Sequence, residues 1–228
     1  MPRLVRPMRY LVPMSPVWSL ATLAGVHLLA AVSPGPAVLS TIQVSVGGSR
    51  KRILLHVVGL GLAVATWAAA TMLGLEALMQ RVSFLFRLLQ ALGGLYLVYV
   101  GIQSWRHAQD PLAGVNLNDT AGRSDSGSIL QGLRRGYLTN ISNPKVMVFF
   151  ASIFSAVLAP HIPVWARVTA IVIVFLNETG WNAALGLLLS TRKAQMTYLH
   201  WKAAIDRTAG LFMGAFGLRL LWGARKAA

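Results

Sequence analysis

Residues 30–41 read AAVSPGPAVLST, which places Pro34 and Pro36 inside an apolar stretch that runs from residue 17 to residue 46. Proline has no backbone N–H to donate to the carbonyl four residues earlier, and its ring crowds that carbonyl. A helix through this stretch is therefore expected to break, leaving the carbonyls of Ala30 and Val32 without helical partners. Gly35 adds a flexible point between the two prolines. In a membrane such a break calls for a function, because unpaired backbone groups are costly in lipid.

The composition of the chain favours a membrane protein. Of its 228 residues, 55% are hydrophobic and 12% are charged, whereas roughly a quarter of the residues in ordinary soluble domains are charged. The net charge is +15, but the Lys and Arg residues lie at the ends of apolar runs, which is typical of loop charges that set topology and argues against nucleic-acid binding. The chain has no cysteine, no P-loop and no histidine pair at metal-ligand spacing, so we expect no metal or cofactor.

The apolar runs predict an all-α integral membrane protein with six transmembrane helices. They cover residues 17–46, 53–78, 84–105, 137–159, 164–190 and 208–224, and about 20 residues cross a bilayer. A polar stretch rich in Gly, Ser, Asp and Asn separates the third run from the fourth. We therefore interpret residues 14–106 as a first three-helix repeat, 107–136 as a cytoplasmic linker and 137–228 as a second three-helix repeat.

Matching motifs occur in the same order in the two halves. SPGP at residues 33–36 corresponds to NPK at 143–145, WAAA from Trp67 to WNAA from Trp181, and GLYLVYVG at 94–101 to GLFMGAFG at 210–217. With three spans in each half, the halves have opposite orientations in the membrane. This is the inverted-repeat arrangement that many secondary transporters share.

Positive charge predicts the orientation of the chain. The loops after the first, third and fifth runs hold 11 Lys and Arg residues, and the other two loops hold three. Positive residues favour the cytoplasm, so we expect both termini to face outward. Residues 1–13 are interpreted as an N-terminal extension that is not translated, with Met14 as the start of the protein.

The two proline motifs predict a substrate site. Interrupted helices at corresponding positions of inverted halves point to a transporter's binding site. Freed carbonyls can accept hydrogen bonds from a substrate ammonium, and the N–H groups at the start of a half-helix favour its carboxylate. The alternative is that each proline only kinks its helix. Candidate substrate-binding residues around the breaks are Ser33, Pro34, Gly35, Pro36, Ser40, Asn140, Asn143, Pro144 and Lys145.

Glu178 lies near the middle of the fifth apolar run. A charge there costs roughly 2.5–3.5 kcal/mol on insertion scales, so such residues usually face a cavity or a partner. Asn177 and Asn182 share its side of the helix, and we include all three among the substrate-binding candidates. A carboxylate buried there can act as a proton carrier or bind the amine of a substrate, and the sequence leaves both roles of Glu178 open. Two structural alternatives remain, an ion pair between Glu178 and Lys145, and a Lys145 side chain that reaches the cytoplasmic surface.

Four segments carry a family resemblance. SPGPAVLST, GGSRKRILLHVVGLGLA, ALGGLYLVYVGIQSWR and GYLTNISNPKVMVFF resemble the lysine/threonine exporter family of LysE/RhtB type. The resemblance implies an inner-membrane exporter of amino acids or close derivatives, driven by the proton motive force. It carries over residues 33–36, Asn140 and residues 143–145 as motif positions. The family pattern more often has Asp where this chain has Glu178.

These observations together predict a secondary transporter of the bacterial inner membrane that works by alternating access and proton antiport. Its partners would be an amino-acid substrate and the lipid bilayer, and it would not be an enzyme. Two alternatives stay open, an integral-membrane enzyme and a non-transporting membrane scaffold. A monomer and a homo-oligomer both fit the sequence.

Overall fold

The computed structural model describes residues 15–33, 35–45, 49–79, 83–110, 129–157, 163–189 and 191–226. These residues form eight α-helices and, within the described ranges, no strand. The prediction of an all-α chain is therefore confirmed. The helices are α1 (Pro16–Val32), α2 (Pro36–Ser45), α3 (Arg50–Met79), α4 (Ser83–Arg106), α5 (Ile129–Ile141), α6 (Pro144–Val157), α7 (Val164–Leu188) and α8 (Arg192–Lys226).

Two of the six apolar runs are each divided into two helices, at the two proline motifs. The first run breaks between α1 and α2, whose axes differ by 58°. The fourth breaks between α5 and α6. Pro36 and Pro144 are the first residues of α2 and α6, a position where the missing N–H has no helical partner to lose. Each motif thus ends one helix and starts the next, as the sequence predicts.

Length and hydropathy single out fewer membrane spans than the sequence predicts. Among the described residues, two helical segments are long and apolar enough to cross a membrane by themselves, Arg50–Gly74 of α3 and Val164–Leu188 of α7. The bent pair α1–α2 counts as a third if it forms one span. The prediction of six spans in two inverted repeats therefore stays a prediction.

Two helices begin earlier than the apolar runs indicate. Helix α5 begins at Ile129, inside the segment 107–136 that the sequence predicts as a linker, and α8 begins at Arg192 rather than near residue 208. The start of α5 packs against α3, where Gly132 and Gly136 leave no room for a Cβ atom beside the α3 backbone. Hydropathy misses such a segment because packing rather than lipid stabilises it. The predicted extension 1–13 and residues 111–128 lie outside the described residues.

The core of the molecule lies between α1, α3, α6 and α7. Leu23, Val64, Phe150, Ala170 and Val174 are almost completely buried and belong to one apolar cluster. The outer surface is also apolar, because several large apolar side chains of α4, α7 and α8, among them Tyr99, Leu176 and Trp201, are more than half exposed. An exposed surface of this kind suits lipid rather than water.

Helices α4 and α8 pack closely through two pairs of glycines. A Cβ atom on Gly101 would lie 2.6 Å from the carbonyl oxygen of Gly210, and one on Gly217 would lie 2.6 Å from that of Gly94. Small residues let helices approach in this way in membranes.

Candidate functional site

The two helix breaks and α7 line a half-open cavity. The volume that the centres of water-sized molecules can occupy is about 30 Å³. This is enough for roughly two or three waters. The polar residues that line it come from four helices and the two breaks between them. They are His27, Ser33, Asn140, Asn143, Lys145 and Glu178.

Lys145, on the first turn of α6, crosses the cavity to the break in the first run. Its Nζ atom donates hydrogen bonds of 2.9 Å to the carbonyl oxygens of Ala30 and Ser33. Pro34 is predicted to free the carbonyl of Ala30. In the structure this carbonyl accepts a hydrogen bond from the Lys145 ammonium of the protein itself rather than from a substrate. Lys145 makes these bonds in place of the ion pair with Glu178 and of the surface position that the sequence left open.

Asn143 organises the break between α5 and α6. Its Oδ1 accepts a 3.0 Å hydrogen bond from the backbone N–H of Lys145, so it caps the start of α6. Its Nδ2 donates to Oδ1 of Asn140 over 3.2 Å. The carbonyl of Asn140, four residues before Pro144, accepts a hydrogen bond from the backbone N–H of Asn143 over 3.2 Å. At this break the backbone is satisfied by the protein itself.

Glu178 is 4% exposed and has one anchored carboxylate oxygen. Its Oε1 accepts hydrogen bonds from Nδ2 of Asn140 (2.9 Å) and Nδ2 of Asn182 (3.3 Å). Its Oε2 makes no hydrogen bond to a residue within the described ranges, and the residue lines the cavity. A carboxylate accepts through both oxygens, so Oε2 can take a proton or a ligand amine.

The Glu178 site is connected to two further helices. The Oδ1 atom of Asn182 accepts a 3.0 Å hydrogen bond from Oγ1 of Thr41 in α2. Asn140 also donates to the carbonyl of Leu60 in α3 over 3.2 Å. Nδ2 of Asn182 also donates to the carbonyl of Glu178 over 3.0 Å, so a displacement of α2 relative to α7 would break only one of the bonds that position Asn182.

Three of the predicted polar site residues lie away from the cavity lining. Ser40 bonds the carbonyl of Ala37 and Nε2 of His56, both over 3.0 Å. Asn177 donates to the carbonyl of Ala24 over 2.9 Å and so ties α7 to α1. Asn182 supports Glu178 without lining the cavity itself. For Ser40 and Asn177, nearby helices satisfy the side chain.

The remaining predicted residues lie at the breaks. Ser33 and Gly35 line the cavity, while Pro36 and Pro144 start their helices and position the backbone there. Pro34 lies outside the described residues.

Sequence reasoning missed His27, Phe149 and Phe150, which also line the cavity. The spacing of His27 from Ala30 and Ala31 is the sequence feature that places it near the break. It precedes Ala30 by three residues and Ala31 by four, so all three share one face of α1. Among the described residues, no group of three or more His, Asp or Glu side chains could hold a metal ion.

Known proteins provide an independent comparison. Residues 17–223 match the model of the LysE type translocator family. The chain is 31% identical over 203 residues to the threonine efflux protein of Salmonella typhi, covering 88% of this chain and 96% of that protein. It is 29% identical over 200 residues to the threonine efflux protein of Escherichia coli K12, with the same coverage.

A further relative is the homoserine/homoserine lactone efflux protein of Salmonella typhimurium, 28% identical over 158 residues that cover 67% of this chain and 73% of that protein. No solved structure matches the chain. The match over most of the chain confirms the resemblance found in the sequence motifs, and the chain belongs to the LysE type translocator family.

Proposed function

We propose that the protein is a secondary transporter of the bacterial inner membrane that exports an amino acid or a close derivative. Its family consists of translocators rather than enzymes, and relatives are named for efflux of threonine and of homoserine or its lactone. The observation that carries the proposal is that Glu178 and Lys145 line one half-open cavity between two broken helices. Intramembrane ionisable groups in such a position are typical of substrate and ion pathways.

An amino-acid zwitterion fits these two charges. Its ammonium would bind Oε2 of Glu178, and its carboxylate would approach Nζ of Lys145. Buried charges are costly unless they are paired and hydrogen-bonded, so a ligand that offers both signs is favoured over one that offers a single sign. Lys145 would exchange its bonds to Ala30 and Ser33 for the substrate carboxylate.

The size of the cavity supports a conformational cycle. Room for a few waters is less than an amino acid needs, so the cavity must widen for substrate to enter. The breaks between α1 and α2 and between α5 and α6 are the points where such a movement needs the least disruption of helical bonds. We propose alternating access by movement of one half of the molecule against the other.

The glycine pairs support an inverted repeat. Gly94 and Gly101 in α4 correspond by sequence motif to Gly210 and Gly217 in α8. In the structure Gly94 lies against Gly217 and Gly101 against Gly210. If each glycine is replaced by its counterpart in the other half, the contact of Gly94 with Gly217 becomes the contact of Gly210 with Gly101. A two-fold axis that relates the halves requires this correspondence. We propose that 14–106 and 137–228 are these halves, with both termini outside.

Proton coupling would follow from competition at Glu178. A proton on Oε2 removes the charge that binds the substrate amine, so proton and substrate exclude one another. Release of substrate to the outside would then be accompanied by proton entry. In this scheme Glu178 is the coupling residue and Asn140 and Asn182 position it.

Efflux from proteoliposomes tests the proposed function. Vesicles would be loaded with labelled threonine, homoserine, lysine or valine, and release would be followed with and without a proton gradient. We expect gradient-stimulated release of a subset, lost in Glu178→Gln. Asp110→Asn makes the same chemical change at a side chain that is 59% exposed and should behave as wild type. Release that ignores the gradient would contradict antiport, and no release of any amino acid would contradict export.

A further inference from the structure

His27 is a buried polar residue of the cavity that the proposed transport cycle does not use. It is 3% exposed and lines the cavity together with Glu178 and Lys145. Its Nδ1 atom is enclosed and has no hydrogen-bond partner among the described residues. Its Nε2 atom makes no hydrogen bond to a residue of the described ranges either, and it is the ring nitrogen that is not enclosed.

An imidazole in this position is expected to have a partner. Buried polar side-chain atoms in proteins are hydrogen-bonded in the large majority of cases, and an unmade bond costs about 1–3 kcal/mol. The surrounding protein offers aromatic rings instead. The ring of Phe149 stands edge-on at 5.5 Å between centroids, and that of Phe150 lies at 5.7 Å. These rings fix the orientation of the imidazole without satisfying its nitrogens.

His27 shares the cavity with the two charged groups of the site. Glu178 and Lys145 can pair with the amine and carboxylate common to all amino acids. Beside Lys145, whose Nζ atom bonds the carbonyl of Ala30, the lining also holds Phe149 and Phe150, which contact the imidazole. A substrate held by its two charged groups would have its side chain within reach of the remaining lining, where His27 is the polar residue that the two charges leave unused.

We propose that His27 is a specificity-determining residue that hydrogen-bonds a hydroxyl group on the side chain of the substrate. A neutral imidazole offers one donor and one acceptor nitrogen, which matches a hydroxyl. This inference rests on the proposed function, since it concerns the choice among exported amino acids.

Discrimination between threonine and valine measures this contact, because the two differ by a hydroxyl and a methyl group of similar size. A site built to bond a substrate hydroxyl rejects the analogue that lacks it, since its own polar group is then left unpaired. We expect wild-type protein in proteoliposomes to release threonine at least about tenfold faster than valine. In His27→Leu this ratio should fall to about one, and His27→Gln should retain most of the preference. His200→Leu makes the same change at an exposed position of α8 and should keep the wild-type ratio.

The outcomes separate this inference from the proposed function. A wild-type protein that releases both amino acids equally, or a His27→Leu variant that keeps the wild-type ratio, would overturn the role of His27 and leave export intact. A wild-type protein that releases no amino acid would overturn both. If His27→Leu is inactive, the thermal shift of the purified protein supplies the same comparison. Threonine should then stabilise wild type more than valine does and stabilise His27→Leu no more than valine, and a retained threonine preference would contradict the proposal.

Discussion

The Nζ atom of Lys145 lies 2.9 Å from the carbonyl oxygen of Ala30, so a residue of the second helix break satisfies the backbone of the first. Lys145 and Ala30 are 115 residues apart in the chain, and their contact joins the two breaks across the cavity. Any widening of the cavity must lengthen or replace the bond. Lys145 is therefore placed to hold the two breaks together.

Replacing Lys145 by Met should abolish efflux and lower stability. The variant leaves the carbonyls of Ala30 and Ser33 without the ammonium, and each buried acceptor left unsatisfied costs about 1–3 kcal/mol. We expect efflux in proteoliposomes to fall at least about tenfold and the melting temperature of the purified protein to decrease. Lys193→Met, at an exposed position of α8, is the matched control and should change neither. Wild-type efflux by Lys145→Met would contradict the role given to this residue.

Asn140 and Asn177 each donate a side-chain hydrogen bond to another helix, one inside the cavity and the other outside it. Asn140 donates to Glu178 inside the cavity, whereas Asn177 donates to the carbonyl of Ala24 outside it. We therefore expect Asn140→Leu to reduce efflux at least about tenfold, because one bond of the order of 1.5–3 kcal/mol to a charged acceptor is lost. Asn177→Leu makes the same change one residue before Glu178 and should retain most of the transport rate. Equal losses in the two variants would show that the effect is structural.

The two helix breaks could be predicted from the sequence because proline in the interior of a helix removes a backbone hydrogen bond and clashes with the preceding turn. Glu178 could be predicted as well, since a carboxylate within an apolar run needs a partner. The partners themselves could not be predicted. Whether Lys145 reaches Glu178 or Ala30 depends on the angle between helices, which hydropathy does not contain. The position of His27 at the cavity could not be predicted because a single histidine forms no sequence motif. Its contacts with Phe149 and Phe150 of α6 exist only in the folded chain.

Adding a methyl group at Gly101 should destabilise the packing of α4 on α8. A Cβ atom there would lie 2.6 Å from the carbonyl oxygen of Gly210, so the helices must separate. Overpacking of this kind typically costs about 1–3 kcal/mol. We expect Gly101→Ala to lower the melting temperature in detergent. Gly25→Ala is the matched control, because a Cβ atom there meets nothing within 4 Å, and a comparable loss in that variant would contradict the explanation.

A buried ion pair on α8 should be more sensitive to the loss of one partner than of both. Lys202 and Asp206 form a 2.8 Å pair with side-chain exposures of 9% and 6%, and Lys202 also donates to the carbonyl of Ala108 over 3.1 Å. Lys202→Met leaves the carboxylate buried without a cation, a change that typically costs about 3–5 kcal/mol. The double variant Lys202→Met/Asp206→Leu removes both charges and should melt at a higher temperature than Lys202→Met alone.

Thermal unfolding of the purified variants measures this difference. The reason for the expected order is that a well-packed apolar pair is often as stable as a buried ion pair, whereas a single buried charge is not. Asp206 has a second carboxylate oxygen that is enclosed without a partner, so losing Lys202 leaves it with still less compensation. A double variant that melts below Lys202→Met would show instead that Asp206 stabilises α8 by a contact other than the ion pair.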